Sequence, residues 1–107
     1  MEERRDGIRV ELDVTVSEKL TSGSTKARAG NLSRTGMRYT KPGHAALNGS
    51  KEVFLEFTLP GNSEPIKVMG WVVEEIEKGD QLETAVTFMF LQEDDEARIN
   101  DFIKSRL

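Results

Sequence analysis

The sequence contains no cysteine and one histidine among its 107 residues. The absence of cysteine excludes disulfides, thiol catalysis and cysteine-ligated zinc or iron–sulfur sites. A single histidine leaves little material for a hydrolytic triad or a histidine-rich metal site. No apolar run approaches the roughly 20 residues of a membrane-spanning helix, and no apolar signal-peptide region follows Met1. These absences favour a cytoplasmic, non-catalytic domain without a metal or cofactor.

Charge is unevenly distributed along the chain. The whole sequence has 15 Lys and Arg against 19 Asp and Glu, a net charge of −4, which argues against a duplex-DNA binder held by phosphate neutralisation. Residues 1–41 hold nine basic and six acidic side chains, a net of +3, whereas residues 42–107 hold six and thirteen, a net of −7. The basic N-terminal part, residues 1–41, predicts a local anion-binding site. The alternative is that the imbalance has no function.

Hydrophobic periodicity predicts about six strands. Residues 1–7 are polar and predict a mobile arm. From Ile8 to Val16 apolar and polar residues alternate, which predicts one strand with Ile8, Val10, Leu12, Val14 and Val16 pointing inward. Residues 17–25 and 41–51 predict loops. Further strands are predicted at 25–32, 36–40, 52–59, 66–76 and 82–91.

The last segment changes to helical periodicity. Ile99, Phe102, Ile103 and Leu107 form an apolar stripe, which predicts a helix over residues 92–107. Strands without intervening helices pair antiparallel, and at this length a small barrel is the favoured closed form. The prediction is therefore a single mainly β domain, with an arm at 1–7, a β-barrel at 8–91 and a C-terminal α-helix at 92–107.

Three possible sites have simpler structural explanations. His44 lies in a Pro/Gly-containing loop without a recognisable catalytic partner. The acidic run Glu93–Glu96 is better explained as a helix N-terminus than as a cation site. Trp71, inside an apolar run, is expected in the core rather than as a platform for a ligand. None of these features supports an enzyme.

The stretch Arg4-Arg5-Asp6-Gly7-Ile8-Arg9 joins the arm to the first strand. Arginine offers a planar fork of donors that matches phosphate oxygens and the O6/N7 edge of guanine. Arg5 and Arg9 could therefore bracket an anionic ligand. The alternative is a basic, solubilising arm.

A second polar stretch is Asn31-Leu32-Ser33-Arg34-Thr35-Gly36. If the strand continues, Asn31 and Ser33 face outward and Leu32 faces the core. Asparagine brings a donor and an acceptor to a base edge, and serine brings a hydroxyl. Gly36 permits a turn or a close backbone approach. The alternative is a polar β-turn.

The two stretches together, R-x-x-x-R followed by N-x-S-x-x-G in a mainly β chain, resemble the PilZ domain family of bacterial receptors for cyclic di-GMP. The resemblance extends over nearly the whole chain. It implies a six-stranded antiparallel β-barrel with a C-terminal helix. It also implies that Arg5 and Arg9 clamp phosphates and guanine edges, that Asn31 and Ser33 contact a guanine and the phosphate–ribose ring, and that Gly36 shapes the strand.

The resemblance implies that Arg4 determines whether the domain binds one nucleotide or a stacked, intercalated pair. It implies a cytoplasmic signalling protein whose partners are cyclic di-GMP and a downstream protein, with neither DNA nor a membrane span. Our hypothesis is that binding orders the arm and so changes partner contacts. Two alternatives remain: a PilZ-like adaptor that binds no nucleotide, and a small barrel that binds single-stranded nucleic acid.

Overall fold

The computed structural model describes residues 8–20, 23–43 and 51–107. Within these ranges the strands and the helix follow one another along the chain. They are β1 (Val10–Glu11), β2 (Thr15–Leu20), β3 (Gly23–Leu32), β4 (Gly36–Pro42), β5 (Glu52–Phe57), β6 (Ile66–Lys78), β7 (Gln81–Met89) and α1 (Glu93–Ser105). No helix in the described part is long and apolar enough to cross a membrane.

The sheet closes into a six-stranded antiparallel barrel, which confirms the predicted fold. Its strand order is β1-β3-β2-β5-β6-β7-β4, and β4 also pairs with β3. Both β1 and β2 pair with β3, through Glu11 opposite Asn31 and Thr15 opposite Arg28, so they are two parts of one interrupted strand. Counted that way, six strands form the wall of the barrel.

The first strand differs from the prediction of an unbroken alternation. Pairing is interrupted between Glu11 and Thr15, and β3 has a register shift between Ala29 and Asn31 in its pairing with β4. The inward assignments of Val10, Leu12 and Val16 are nevertheless confirmed, since all three are buried, and Val14 is partly buried against the core. Ile8 lies before the pairing begins and is 37% exposed, so its inward assignment is wrong. The strand β2 also continues to Leu20, through part of the predicted loop.

The helix packs its predicted apolar stripe against the barrel. Ile99, Phe102 and Ile103 are buried in the same cluster as the inward side chains of the strands. Four acidic residues occupy its first turn and Lys104 its last, as the helix dipole favours. Leu107 follows the helix and is exposed.

A buried polar cluster lies inside the barrel. Lys41 Nζ is 2.9 Å from both carboxylate oxygens of Glu18, and 3.2 Å from Glu75 Oε2. Tyr39 donates a hydrogen bond of 2.6 Å from its hydroxyl to Glu18. Burial and the neighbouring Glu18 carboxylate raise the pKa of Tyr39 well above its ordinary value, so the phenol keeps its proton. The buried ammonium of Lys41 is therefore paired with the buried carboxylate of Glu18 inside the barrel.

Candidate ligand-binding site

Arg9 and Asn31 meet on the outer surface of the barrel. In the pairing of β1 with β3, Val10 lies opposite Leu32, and both of these side chains are buried. The residues just before them, Arg9 and Asn31, therefore face outward. The Arg9 guanidinium donates a hydrogen bond of 3.2 Å from Nη1 to Asn31 Oδ1. One member of each sequence motif thus lies at the same place.

Ser33 is not on that outward face, so this part of the prediction is wrong. Its side chain is 1% exposed, because β3 ends at Leu32 and the chain turns instead of continuing the alternation. The Ser33 hydroxyl accepts a hydrogen bond of 3.3 Å from the Thr35 amide and lies 3.3 Å from the Gly36 carbonyl, to which it donates. The Ser33 amide also donates to the Gly36 carbonyl at 2.9 Å. Ser33 therefore holds together the turn between β3 and β4.

Position 36 requires glycine, because the backbone at the start of β4 lies very close to the backbone of β7. A Cβ atom at this position would lie 2.1 Å from the carbonyl oxygen of Val86 in β7. The adjacent Thr35 carbonyl accepts a hydrogen bond of 2.8 Å from the Phe88 amide, which fixes the turn against β7. The close approach anticipated from the sequence is therefore present, and glycine is the residue that fits it.

Arg4 and Arg5 lie outside the described residues, as does His44. Their roles stay predictions. The structure describes four of the six candidate residues, namely Arg9, Asn31, Ser33 and Gly36.

Arg38 is a neighbour of the site that the sequence analysis did not single out. It lies opposite Asn31 across the β3–β4 pairing, and its guanidinium contacts the Glu74 carboxylate at 2.7 Å. Arg28, earlier on β3, pairs in a similar way with Asp13 at 2.6 Å. The contact of Arg9 with Asn31 differs from these two pairs because its partner is a neutral amide.

Trp71 is exposed, so the expectation that it belongs to the core is wrong. It is 44% exposed on β6 and lies in one cross-strand row with Thr87 of β7 and Gly36 of β4. Neighbouring strands are about 4.8 Å apart, so the indole is roughly 10 Å along the surface from the Gly36 backbone. Alternation within β6 could have revealed this orientation, since Val68 and Val72 are buried.

A protein-family model and several solved structures relate the chain to known proteins. The family model described as "PilZ domain" matches residues 3–105. A comparison with curated protein sequences finds no match.

The fold is similar to solved structures of low sequence identity. One is the Bacillus subtilis inhibitor of motility (MotI/DgrA), with a TM-score of 0.81 and 12% identity over 92% of this chain and 49% of that chain. Another is Escherichia coli YcgR in complex with c-di-GMP, with a TM-score of 0.75 and 17% identity over 92% of this chain and 43% of that one. The isolated PilZ domain of YcgR with c-di-GMP has a TM-score of 0.71 and 15% identity, over 92% of this chain and 88% of the domain.

This chain therefore spans about half the length of the first two proteins and nearly all of the isolated domain. The structural likeness shows the shared barrel, and the family match covers almost the whole sequence. The chain belongs to the PilZ domain family.

Proposed function

We propose that this domain is a non-catalytic receptor that binds cyclic di-GMP on the outer surface around Arg9 and Asn31. PilZ domains are receptor and adaptor domains, and both YcgR structures similar to this chain are c-di-GMP complexes. The observation that carries the proposal is the hydrogen bond between Arg9 and Asn31, because it joins the R-x-x-x-R and N-x-S-x-x-G motifs in space.

The chemistry of this pair suits a guanine nucleotide. The Arg9 guanidinium can donate two hydrogen bonds to O6 and N7 of a guanine or to phosphate oxygens. The Asn31 carboxamide can donate and accept beside it. Binding would exchange their mutual hydrogen bond for contacts with the ligand. Arg5, four residues before Arg9, would supply a second guanidinium, and Arg4 would govern whether one nucleotide or an intercalated pair is held.

Ser33 and Gly36 act in this proposal through the turn. The Ser33 hydroxyl is engaged by the backbone, so its contribution is to hold Asn31 and the start of β4 in place. Gly36 allows the turn to lie directly on β7. A substitution at either residue would change ligand affinity by displacing the outer surface.

Trp71 extends the proposed surface across two strands. An exposed indole in the same row as Gly36 offers a flat face on which a guanine can stack. A cyclic dinucleotide presents two guanines, so one could be held by Arg9 and Asn31 while Trp71 meets the other. We therefore add Trp71 to the ligand-binding residues proposed from the sequence.

Isothermal titration calorimetry with cyclic di-GMP is the experiment that tests the proposal, with GTP and a linear oligonucleotide as controls. Saturable heat with the cyclic dinucleotide alone is the expected result, and the stoichiometry distinguishes one bound nucleotide from two. Equal heat with the linear oligonucleotide would instead indicate a single-stranded nucleic-acid binder.

The second candidate function is an adaptor that binds a protein and no nucleotide. It is favoured by the likeness to the Bacillus subtilis inhibitor of motility, a protein named for inhibition and not for catalysis. An absence of heat together with an unchanged melting temperature in saturating cyclic di-GMP would select this candidate.

A further inference from the structure

An apolar row crosses the outer surface of β5, β6 and β7. Phe54 lies opposite Met69, and Met69 lies opposite Met89, so the three side chains are neighbours on one face of the sheet. Phe54 is 39% exposed, and both methionines are partly exposed. We call these three residues the apolar row. Contiguous exposed apolar side chains that are bordered by polar residues are typical of interaction sites.

A cluster of three lysines lies beside this row. Lys19 lies opposite Phe54 in the β2–β5 pairing, and Lys67 lies opposite Glu56 in the β5–β6 pairing. Lys26 lies opposite Ser17 on β2, and Ser17 lies opposite Glu56. We call Lys19, Lys26 and Lys67 the lysine cluster.

Glu56 is the carboxylate at the centre of this cluster. The hydrogen bond from Lys19, 3.0 Å from Glu56 Oε1, lowers the pKa of Glu56, and the charges of all three lysines act in the same direction. Three ammonium groups around one carboxylate leave a net positive charge, although the whole chain has a net charge of −4. Lys19, Lys26 and Glu56 also line an open cleft of about 450 Å³.

We propose that the apolar row and the lysine cluster together form a docking face for a protein partner, whose contacting segment carries apolar side chains next to aspartate or glutamate. The charge of the cluster selects the partner, because the ammonium groups favour carboxylates and disfavour basic segments. The apolar row supplies anchors that become desolvated on binding. Glu52 lies two residues before Phe54, on the side away from Glu56, so the partner's carboxylates belong on the Lys19 side.

This docking face extends the proposed function. It does not include Arg9 or Asn31, and it adjoins Trp71, which lies two residues after Met69 on the same face of β6. The apolar row lies on β5, β6 and β7, whereas Arg9 and Asn31 lie at β1 and β3. On β3 itself, Lys26 and Asn31 are five residues apart, or about 16 Å in an extended strand. A nucleotide held at Arg9 and Asn31 therefore leaves the lysine cluster accessible to a partner segment.

Selection from a random-peptide display library on the immobilised domain tests the docking face without choosing a partner in advance. Counter-selection uses the double variant Phe54→Ser/Lys26→Glu, which changes one member of each group. We expect the enriched peptides to combine Asp or Glu with Leu, Phe or Trp. Enrichment of Lys- or Arg-rich peptides, or none beyond the counter-selected background, would overturn the proposal.

Single variants then measure each part of the face with an enriched peptide. Phe54→Ser and Lys26→Glu should each weaken binding by about tenfold, a typical loss for a contributing interface residue. Glu56→Gln should strengthen it, because the competing carboxylate is removed from the lysines. The controls are Leu107→Ser and Lys104→Glu, an exposed apolar residue and an exposed lysine elsewhere, and neither should change the affinity. Equal losses in these controls, or weaker binding by Glu56→Gln, would contradict the docking face.

Three further measurements distinguish the other possible occupants of the docking face and separate its failure from failure of the proposed nucleotide binding. Analytical ultracentrifugation that shows a dimer, lost in Phe54→Ser, would make a second copy of the chain the occupant and overturn the proposal. Tighter binding to vesicles with anionic headgroups than to the peptide would do the same in favour of a membrane. Phe54→Ser should bind cyclic di-GMP as the wild type does, so failure of the docking face and failure of nucleotide binding give different results.

Discussion

The guanidinium of Arg9 donates a hydrogen bond of 3.2 Å to the side-chain oxygen of Asn31, although 22 positions separate the two residues in the sequence. The contact exists because β1 pairs with β3 in a register that sets Val10 opposite Leu32. It places an arginine with five donors beside an amide that both donates and accepts. This relationship is the structural basis of the proposed nucleotide site.

Replacement of Arg9 by alanine should abolish or greatly weaken the binding of cyclic di-GMP without unfolding the domain. Arg9 is exposed, so its removal leaves no buried group without a partner. Titration calorimetry and thermal melts on the same sample provide the two readings. The matched control is Arg28→Ala, which removes another exposed, outward arginine from the same side of the barrel. Equal losses of affinity in both variants would show that general positive charge matters and the Arg9–Asn31 pair does not.

Substitution of Ser33 by alanine should lower the melting temperature as well as the affinity for cyclic di-GMP. The buried hydroxyl accepts from the Thr35 amide and donates to the Gly36 carbonyl, so its loss should cost about 1–3 kcal/mol of folding free energy. Asn31→Ala is the comparison, because Asn31 is only partly buried and should lose affinity with little change in stability. An unchanged melting temperature for Ser33→Ala would contradict the assigned role in the turn.

Gly36→Ala should destabilise the fold strongly. The added Cβ would lie 2.1 Å from the Val86 carbonyl oxygen, and the two strands must separate to admit it. Overpacking of this kind costs about 1–3 kcal/mol or more, which chemical denaturation can measure. Gly30→Ala is the matched control, since a Cβ there would meet the Arg38 carbonyl oxygen at 3.7 Å, an ordinary contact. The two variants should therefore differ clearly in their midpoints of unfolding.

Lys41→Met should lower stability by about 3–5 kcal/mol, because the Glu18 carboxylate would be left buried without its cation. The exposed Lys19→Met, which breaks the ion pair with Glu56, should have a far smaller effect on stability, because solvent screens that pair. The double variant Glu18→Leu/Lys41→Met should recover only part of the loss. It removes the buried Glu18 charge, but Tyr39 loses its acceptor and Glu75 loses its cation. Denaturant unfolding of all three tests this order. A small effect of Lys41→Met alone would mean that water reaches Glu18.

The lysine cluster should be visible in the titration of Glu56. Its pKa lies below the ordinary value chiefly because Lys19 donates a hydrogen bond to it, so Lys19→Ala should raise that pKa towards the ordinary value. A carboxyl group whose pKa is lowered by folding stabilises the native state above its unfolded pKa, and the contribution disappears as the pH falls through the folded pKa. Carbon-detected NMR of the side-chain carboxyl measures the shift directly. Glu83, whose pKa is lowered by Lys78, is the internal control and should not respond to Lys19→Ala.

The barrel and its helix could be predicted because alternation and helical periodicity are local properties of the sequence. Val53, Leu55 and Phe57 are buried as the period of two requires, and Ile99 and Phe102 are buried as the helical period requires. The interruption between β1 and β2 could not be predicted in this way. It lies where the pairing with β3 changes register by one residue, from Glu11 opposite Asn31 to Thr15 opposite Arg28, and such pairing joins distant parts of the chain.

The candidate site could be predicted only in part, because the pairing of distant strands is not a local property of the sequence. The residue types in the two motifs indicate an anion or guanine site, but the contact between Arg9 and Asn31 requires the β1–β3 register. The predicted outward orientation of Ser33 is wrong because β3 ends at Leu32, so the alternation of the strand does not extend to Ser33. Trp71 was assigned to the core from its apolar neighbours, although the alternation of β6 turns its side chain outward.

An NMR titration of the uniformly labelled domain with cyclic di-GMP tests the central claim most directly, because it reports binding and its location together. We predict that the Asn31 carboxamide, the Arg9 guanidinium and the Trp71 indole N–H will shift and saturate. The signals of Lys19, Phe54 and Lys67 on the docking face should stay in place. Saturating shifts confined to that face, or no shifts at any concentration of the nucleotide, would contradict the account.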